Sequence, residues 1–396
     1  MITSDSENIY IRSLTPRQRI WLIAALTFAT LIKLYLAATT HGSTDVDAFT
    51  DQLLKVRELG VGAYHVRGIF ENPFNHPPPM IHVLKALGFI TDVSRLPFGF
   101  WLRLLPILAS IGSFFLVWRL LRDRKDLFPL LLALALCPIS IMVDGYHGNT
   151  DSVVIMFLLL SVYLIQDQKS YLWAGLAFGL ACCVKVVPLM LVPAFLLYLP
   201  DMKTRIKFAA MATGIFVAMS LPYIAQDPMA VKRAVFDYAS VYGVWGVPLL
   251  LKLFWPEHAV YAHEGGYDPI GIHGVFAAIL KYLAIVTILT ASVWLNIRKH
   301  KPPLFVQCGI IISILLFLAP GFGLQYLVWL VPFVLILGVR VTLIYYIAGS
   351  LYLVLAYADY PKAKTNAVLF LGLAFAICAW FTLRIVLGHY YKLVRD

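Results

Sequence analysis

LFPLLLALALCPISIMVDGYHGNTDSVVIMFLLLSVYLI, residues 127–165, is the stretch on which the fold reading turns. Residues 127–144 and 152–165 are apolar runs without the period-2 alternation of a strand. Between them lies Asp144-Gly145-Tyr146-His147-Gly148-Asn149-Thr150-Asp151, polar and marked by two glycines. Just upstream is the basic cluster Arg119, Arg122, Arg124 and Lys125. A basic flank, an apolar run, a polar turn and a returning apolar run make a membrane-crossing helix pair, with the basic end in the cytoplasm.

The rest of the chain extends that reading. Of 396 residues, 61% are hydrophobic and 13% charged, and the mean hydropathy is +0.81. A soluble domain carries about 25% charged residues. The surplus apolar surface therefore faces lipid. The formal net charge of +11 fits short cytoplasmic loops beside anionic lipid, so nucleic acid is not expected as a partner. All five cysteines, Cys137, Cys182, Cys183, Cys308 and Cys378, fall in apolar runs. Neither disulfides nor a zinc site is expected.

Twelve spans are predicted, at 20–39, 98–118, 127–144, 152–165, 171–186, 188–200, 208–224, 271–296, 304–319, 326–338, 341–358 and 367–387. The short runs 188–200 and 326–338 also read as half-helices or tilted pieces. The expectation is one all-α polytopic bundle over residues 1–396, with both termini cytoplasmic. Two long extracytoplasmic loops follow, at 40–97 and 225–269. In the first, 47–60 reads as a surface helix and 77–90 as an interfacial one.

Polar candidates gather at loop level on one face. Asp45 and Asp47, taken as part of an extended segment, would point the same way. One could act as a general base tuned by the other, or the pair could hold a divalent metal, the less favoured reading. A solvated loop or a helix cap is the plainer alternative. His76, ahead of Pro77-Pro78-Pro79, sits where a polar substrate could be touched. Asp144, His147, Asn149 and Asp151 are more polar groups than a helix connection needs. Lys185, between apolar runs and before Pro188, needs an anionic partner or an aqueous cavity, or else snorkels. Arg103, Lys232 and Arg233 are cations suited to a phosphate. Tyr242 and Trp245, between glycines, could stack on a sugar or join an aromatic belt. Gln325 and Tyr326 follow another glycine-bearing turn. His258, His263 and Glu264 read as solvated loop.

These motifs, in this order, resemble the GT-C superfamily of glycosyltransferases. The likeness is strongest to the dolichyl-phosphate-glucose-dependent glucosyltransferases and to bacterial relatives. Asp45-Val-Asp47-Ala48 resembles their Asp-x-Glu-Ala segment, and His76-Pro-Pro-Pro-Met80 their Tyr-Pro-Pro-Leu segment. Residues 144–151 resemble their polar loop between the third and fourth spans, and Lys185 falls where they carry Tyr-Lys-Gln. The match covers roughly the first half of the chain. Asp47 stands in place of Glu, Lys185 lacks the following Gln, and the family's late histidine segment has no counterpart.

The resemblance implies an inverting, metal-independent transfer of a hexose, of glucose or mannose type, from a polyprenyl-phosphate donor. The acceptor would be a hydroxyl on a lipid-linked or glycan substrate, with Asp45 as base. No cofactor is implied. The expected setting is a bacterial inner membrane, with the site on the extracytoplasmic face. A transporter or flippase is the rival reading; its mark is broken helices in related positions of two halves.

Overall fold

The computed structural model describes residues 14–64, 74–236, 240–255 and 269–358. Its elements in order are α1 (Pro16–Thr39), α2 (Thr44–Leu59) with a 3-10 turn at Gly60–Tyr64, α3 (Pro79–Ser94) and α4 (Phe98–Leu120). Then come α5 (Leu127–Ala135), α6 (Pro138–Ser140), a π-helical stretch at Ile141–His147, α7 (Asp151–Gln166) and α8 (Tyr171–Val184). A 3-10 turn at Val187–Leu191 leads into α9 (Val192–Tyr198), α10 (Met202–Ile224), α11 (Pro228–Phe236), β1 (Val241–Tyr242) and α12 (Gly246–Phe254). The remainder is α13 (Gly271–Ile297), α14 (Leu304–Leu318), β2 (Gly321–Phe322), 3-10 turns at Leu324–Trp329 and Val334–Leu337, and α15 (Val339–Ala358).

The chain is an all-α polytopic membrane protein. Among the described residues six helical stretches are long and apolar enough to cross a bilayer: α1, α4, Leu127–His147, α10, α13 and α15. Four shorter apolar stretches, α7, α8, Val187–Tyr198 and α14, lie among them. Lipid-facing sides show plainly on α1 and α13, where Ile20, Trp21, Phe28, Val275, Tyr282 and Val286 are exposed. The segment 367–387, read as a twelfth span, lies outside the described residues, as do 256–268 with His258, His263 and Glu264.

Close helix approach comes from small residues. Gly175 and Gly179, one turn apart on α8, face α10, where a Cβ would collide with the Phe208 carbonyl and with Ala212. Helix α7 packs between α8 and α4, and α1 packs on α4 and α5. The helices α2 and α3 form a separate apolar layer with the start of α4. Phe49, Leu53, Val56, Ile81, Leu84 and Leu102 are buried there together with Ala181 and Val154.

Two expectations are corrected. The run 326–338 is not a span or a regular half-helix but two 3-10 stretches joined by turns. As an α-helix it would reach only about 20 Å against a hydrocarbon core of about 30 Å, and Pro332 withholds a backbone donor. Leu327, Val328, Leu330, Val334 and Leu335 are buried, so protein rather than lipid surrounds this irregular backbone. Nor is 144–151 a loop throughout. Helix-like winding continues to His147, and α7 starts at Asp151.

Candidate functional site

The site forms where the N-terminus of α2 meets the end of the π-helical stretch. Ser43 caps α2: its hydroxyl accepts from the Asp45 amide at 3.2 Å and donates to the His147 carbonyl at 2.7 Å. One side chain thus starts the helix and ties it to the opposite segment. Asp45 lands in the first turn of α2, where the helix dipole favours a carboxylate. Gly148 permits the junction. Its φ is +82°, and a Cβ there would come within 2.5 Å of Val46 Cγ2.

Asp45 Oδ2 faces two groups, His147 Nε2 at 3.0 Å and Asn149 Nδ2 at 2.5 Å. Asn149 is oriented by its own Oδ1, which accepts from the Thr150 amide at 2.6 Å. Asp45 Oδ1 has no hydrogen-bond partner among the described residues, and the side chain keeps 30% of its surface exposed. Burial pushes the Asp45 carboxyl pKa up, but His147, Asn149 and the charge of Lys185 outweigh it and hold it at about 2. The group is an ionised carboxylate with one oxygen fixed and one open.

A second cluster adjoins it. Asp151, fully buried at the start of α7, accepts from Lys185 Nζ at 2.8 Å and from Trp329 Nε1 at 2.6 Å. Lys185 ends α8 and lies 5.3 Å from the centre of the Tyr326 ring. Tyr326 stacks on Trp329 at 4.1 Å, and Phe322 meets Tyr326 edge-on at 5.7 Å. Trp245 stacks on Phe322 at 4.7 Å. The β1–β2 pair, with Val241 opposite Phe322 and Tyr242 opposite Gly321, brings these distant rings into one wall. His76 is buried between Phe49 and Phe74, with Nδ1 3.5 Å from the Val184 carbonyl. Burial, helped by the Lys185 charge, lowers its pKa from 6.5 to about 3.

Other expected residues stand elsewhere. Asp45 and Asp47 are on a helix, not an extended segment, because α2 begins at Thr44. Two residues apart on a helix is about 200°. Asp47 accordingly turns away and pairs with exposed His41 at 2.6 Å. The extended-segment argument for a shared metal is lost. Arg103 is spent on the scaffold: it donates to the carbonyls of Gly99 and Thr40, each at 2.8 Å, and to Thr40 Oγ1 at 3.0 Å. Asp144 sits inside the bundle rather than at its mouth. Tyr242 is core, its hydroxyl 3.0 Å from His273 Nδ1. Gln325 is half-buried against Gly323. Lys232 projects from α11 on an exposed face, and the side chain of Arg233 lies outside the described residues.

Sequence reasoning passed over Lys33. Its ammonium is buried in α1 and donates to Asp144 Oδ2 at 2.8 Å, Ser140 Oγ at 2.7 Å and Ser110 Oγ at 2.8 Å. Ser152 donates to Asp144 Oδ1 at 2.5 Å. The signal was available: a lone lysine inside an apolar span has to be paired. Gly145 allows the contact, since a Cβ there would sit 2.8 Å from Lys33 Cα. The ion pair therefore pins the π-helical stretch that carries His147. Trp329 and Tyr357 were also missed, and as single aromatics in apolar runs they carried no signal.

Residues 75–224 match the family described as dolichyl-phosphate-mannose-protein mannosyltransferase. That segment contains His76, Arg103, His147, Asn149, Asp151 and Lys185. A similar protein is the dolichyl pyrophosphate Glc1Man9GlcNAc2 alpha-1,3-glucosyltransferase of Gibberella zeae, 23% identical over 177 residues. The aligned part is 40% of this chain and 35% of that protein, so the chain spans about a third of the relative's length. Together the two matches support a GT-C superfamily glycosyltransferase.

Proposed function

We propose that the chain is a membrane glycosyltransferase that moves a hexose from a polyprenyl-phosphate donor to an acceptor hydroxyl, with inversion. The observation that carries this reading is the state of Asp45: ionised, with Oδ2 held by His147 and Asn149 and Oδ1 open. In this reading the acceptor hydroxyl meets Asp45 at Oδ1, on the 30% of the side chain that stays exposed. Asp45 takes its proton as the acceptor oxygen bonds to the anomeric carbon. The bond from that carbon to the phosphate oxygen breaks, and the phosphate leaves with the electron pair. A phosphate is already a good leaving group, so a strong general acid is not required. A single displacement inverts the anomeric centre.

Lys185 is the best-situated cation for the leaving phosphate. One of its three N–H donors goes to Asp151, and no other hydrogen bond takes the remaining two among the described residues. Its charge acts on Asp45, so the two lie in one site. Phosphate charge developing at a partly dry rim gains from such a contact. The acceptor is proposed to be lipid-linked or a glycan. The basic loops favour the non-cytoplasmic face for the site, in a bacterial inner membrane.

The test uses the full chain in detergent with labelled polyprenyl-phosphate glucose or mannose and a lipid-linked acceptor. Transfer without a sealed membrane, lowered by about 10² or more in Asp45→Asn with an unchanged fold, is the expected result. Near-normal turnover in that variant removes Asp45 as base.

A transporter remains the second reading, on one specific observation. Broken helical segments occur twice, at Val187–Tyr198 and at Leu324–Leu337. Paired breaks are a transporter feature. Activity that needs sealed vesicles and a gradient would favour it over transfer.

A further inference from the structure

Two polar atoms beside Asp45 are buried without partners among the described residues: His147 Nδ1 and the Tyr357 hydroxyl. Tyr357 lies in the last turn of α15, about two hundred positions from the residues it meets. Its ring lies 5.5 Å from the His147 ring and 5.2 Å from that of Tyr146. His147 in turn faces Asp45 Oδ2 at 3.0 Å, so the His147 ring lies between the Tyr357 contact and the carboxylate. Tyr352, earlier on α15, touches the edge of Trp245 at 5.3 Å and donates to the Val244 carbonyl at 3.3 Å. That pair continues the wall to the β1–β2 aromatics.

An orphaned polar atom in a buried place is destabilising unless something fills it. The two atoms here are complementary in kind. His147 faces ionised Asp45 through Nε2, so in the neutral ring the proton sits on Nε2 and Nδ1 accepts. The Tyr357 hydroxyl has a proton to give. A hydroxyl can donate to one and accept from the other, as a water can. A carbonyl satisfies only Tyr357, and an ammonium only His147.

We infer that Tyr357 Oη and His147 Nδ1 together bind a hexose hydroxyl next to Asp45, making Tyr357 a sugar-binding residue of this site. The inference rests on the glycosyl-transfer reading and adds the piece of substrate that faces α15. The hydroxyl belongs either to the donor hexose or to a sugar acceptor, and the arms of the experiment separate these.

The full chain in detergent is titrated while intrinsic fluorescence is followed, since Trp245 and Trp329 lie in the adjoining wall. The probes are decaprenyl phosphate, decaprenyl-phosphate glucose, decaprenyl-phosphate mannose, and the free methyl glucoside and methyl mannoside. Wild type is expected to bind one sugar-bearing probe about ten-fold more tightly than its sugarless or mismatched counterpart, the scale of one well-made hydrogen-bonded hydroxyl. Tyr357→Phe is expected to lose most of that increment and to bind decaprenyl phosphate as wild type does. Loss confined to the lipid probes assigns the hydroxyl to the donor, and loss with the methyl hexosides assigns it to the acceptor. The ligand-free Phe variant should unfold at the same temperature or higher, because it sheds only an unsatisfied hydroxyl. A full increment in Tyr357→Phe means a trapped water fills the gap and overturns the inference alone. No sugar-dependent increment in wild type overturns it together with glycosyl transfer.

Discussion

His147 Nε2 stands 3.0 Å from Asp45 Oδ2, although 102 residues separate them in the chain. Burial alone raises the carboxyl pKa, and His147 is the largest of the influences that lower it to about 2. A depressed carboxyl pKa keeps the charged form above that value and loses it as pH falls through it. In wild type, Asp45 therefore sets no acid limit on activity near neutral pH. His147→Ala removes the hydrogen bond to Oδ2 and leaves burial opposed by Asn149 and the Lys185 charge. The pH below which turnover falls should then move up, and the plateau rate should drop by about 10-fold or more. A pH–rate profile of the variant from pH 4 to 8 checks both effects. An unmoved acid limb would show that His147 does not govern the Asp45 charge.

Asp47 looks like an equal partner of Asp45 in the sequence but not in space. It faces His41, whose side chain is 74% exposed, and exposed ion pairs contribute little. Asp47→Asn should change turnover by less than about three-fold, against the loss of about 10² or more expected for Asp45→Asn. Parallel assays of the two variants decide the matter. Comparable losses would restore the paired-carboxylate reading and, with it, a search for metal dependence.

The boundary of one helix explains why that difference was hard to read from residues alone. Asp47–Gly60 was legible as an amphipathic surface helix, but Ser43 extends it back to Thr44. That change of three residues rotates Asp45 and Asp47 onto different faces. The bundle itself was legible because apolar runs of bilayer length have few alternatives. Part of the polar grouping was legible: His147 and Asn149 contact Asp45, and Lys185 pairs with Asp151, while Asp144 is buried against Lys33 instead. What the sequence hid was contact across long separations. The aromatic wall depends on β1 meeting β2, 80 positions later, and a two-residue pairing has no periodicity to detect. Arg103 read as a phosphate ligand because its charge was visible while the five oxygens that absorb it were not.

The Lys33–Asp144 pair is predicted to matter for the site through position, without touching substrate. Both side chains are nearly inaccessible, at 7% and 0%. Lys33→Met leaves Asp144 buried with only serine donors, and breaking a buried pair costs about 3–5 kcal/mol. The variant should unfold well below wild type. The double change Lys33→Met with Asp144→Leu should recover much of that loss, because no unpaired charge remains. Thermal unfolding of the three proteins in one detergent measures the coupling. Additive losses would mean that the pair is not an energetic unit.

His76 supplies a pH dependence of stability with a defined sign. In the fold its pKa falls from 6.5 to about 3, because burial disfavours the imidazolium and the Lys185 charge repels it. The unfolded chain therefore binds a proton near pH 6.5 that the folded chain refuses until near 3. Stability from this group is complete above pH 6.5 and declines as pH falls from there toward 3. Over that window the unfolding midpoint of wild type should drop with the slope of one extra proton taken up on unfolding. His76→Gln keeps a polar group of similar reach between Phe49 and Phe74 but cannot titrate. Its midpoint should be lower at pH 7.5 and flatter between pH 6.5 and 4.5, so the two curves converge on acidification. Denaturation of both proteins across that range tests the sign directly. Curves that stay parallel would mean that His76 accepts its proton in the folded state, and that the pocket beside Lys185 is wetter than its burial implies.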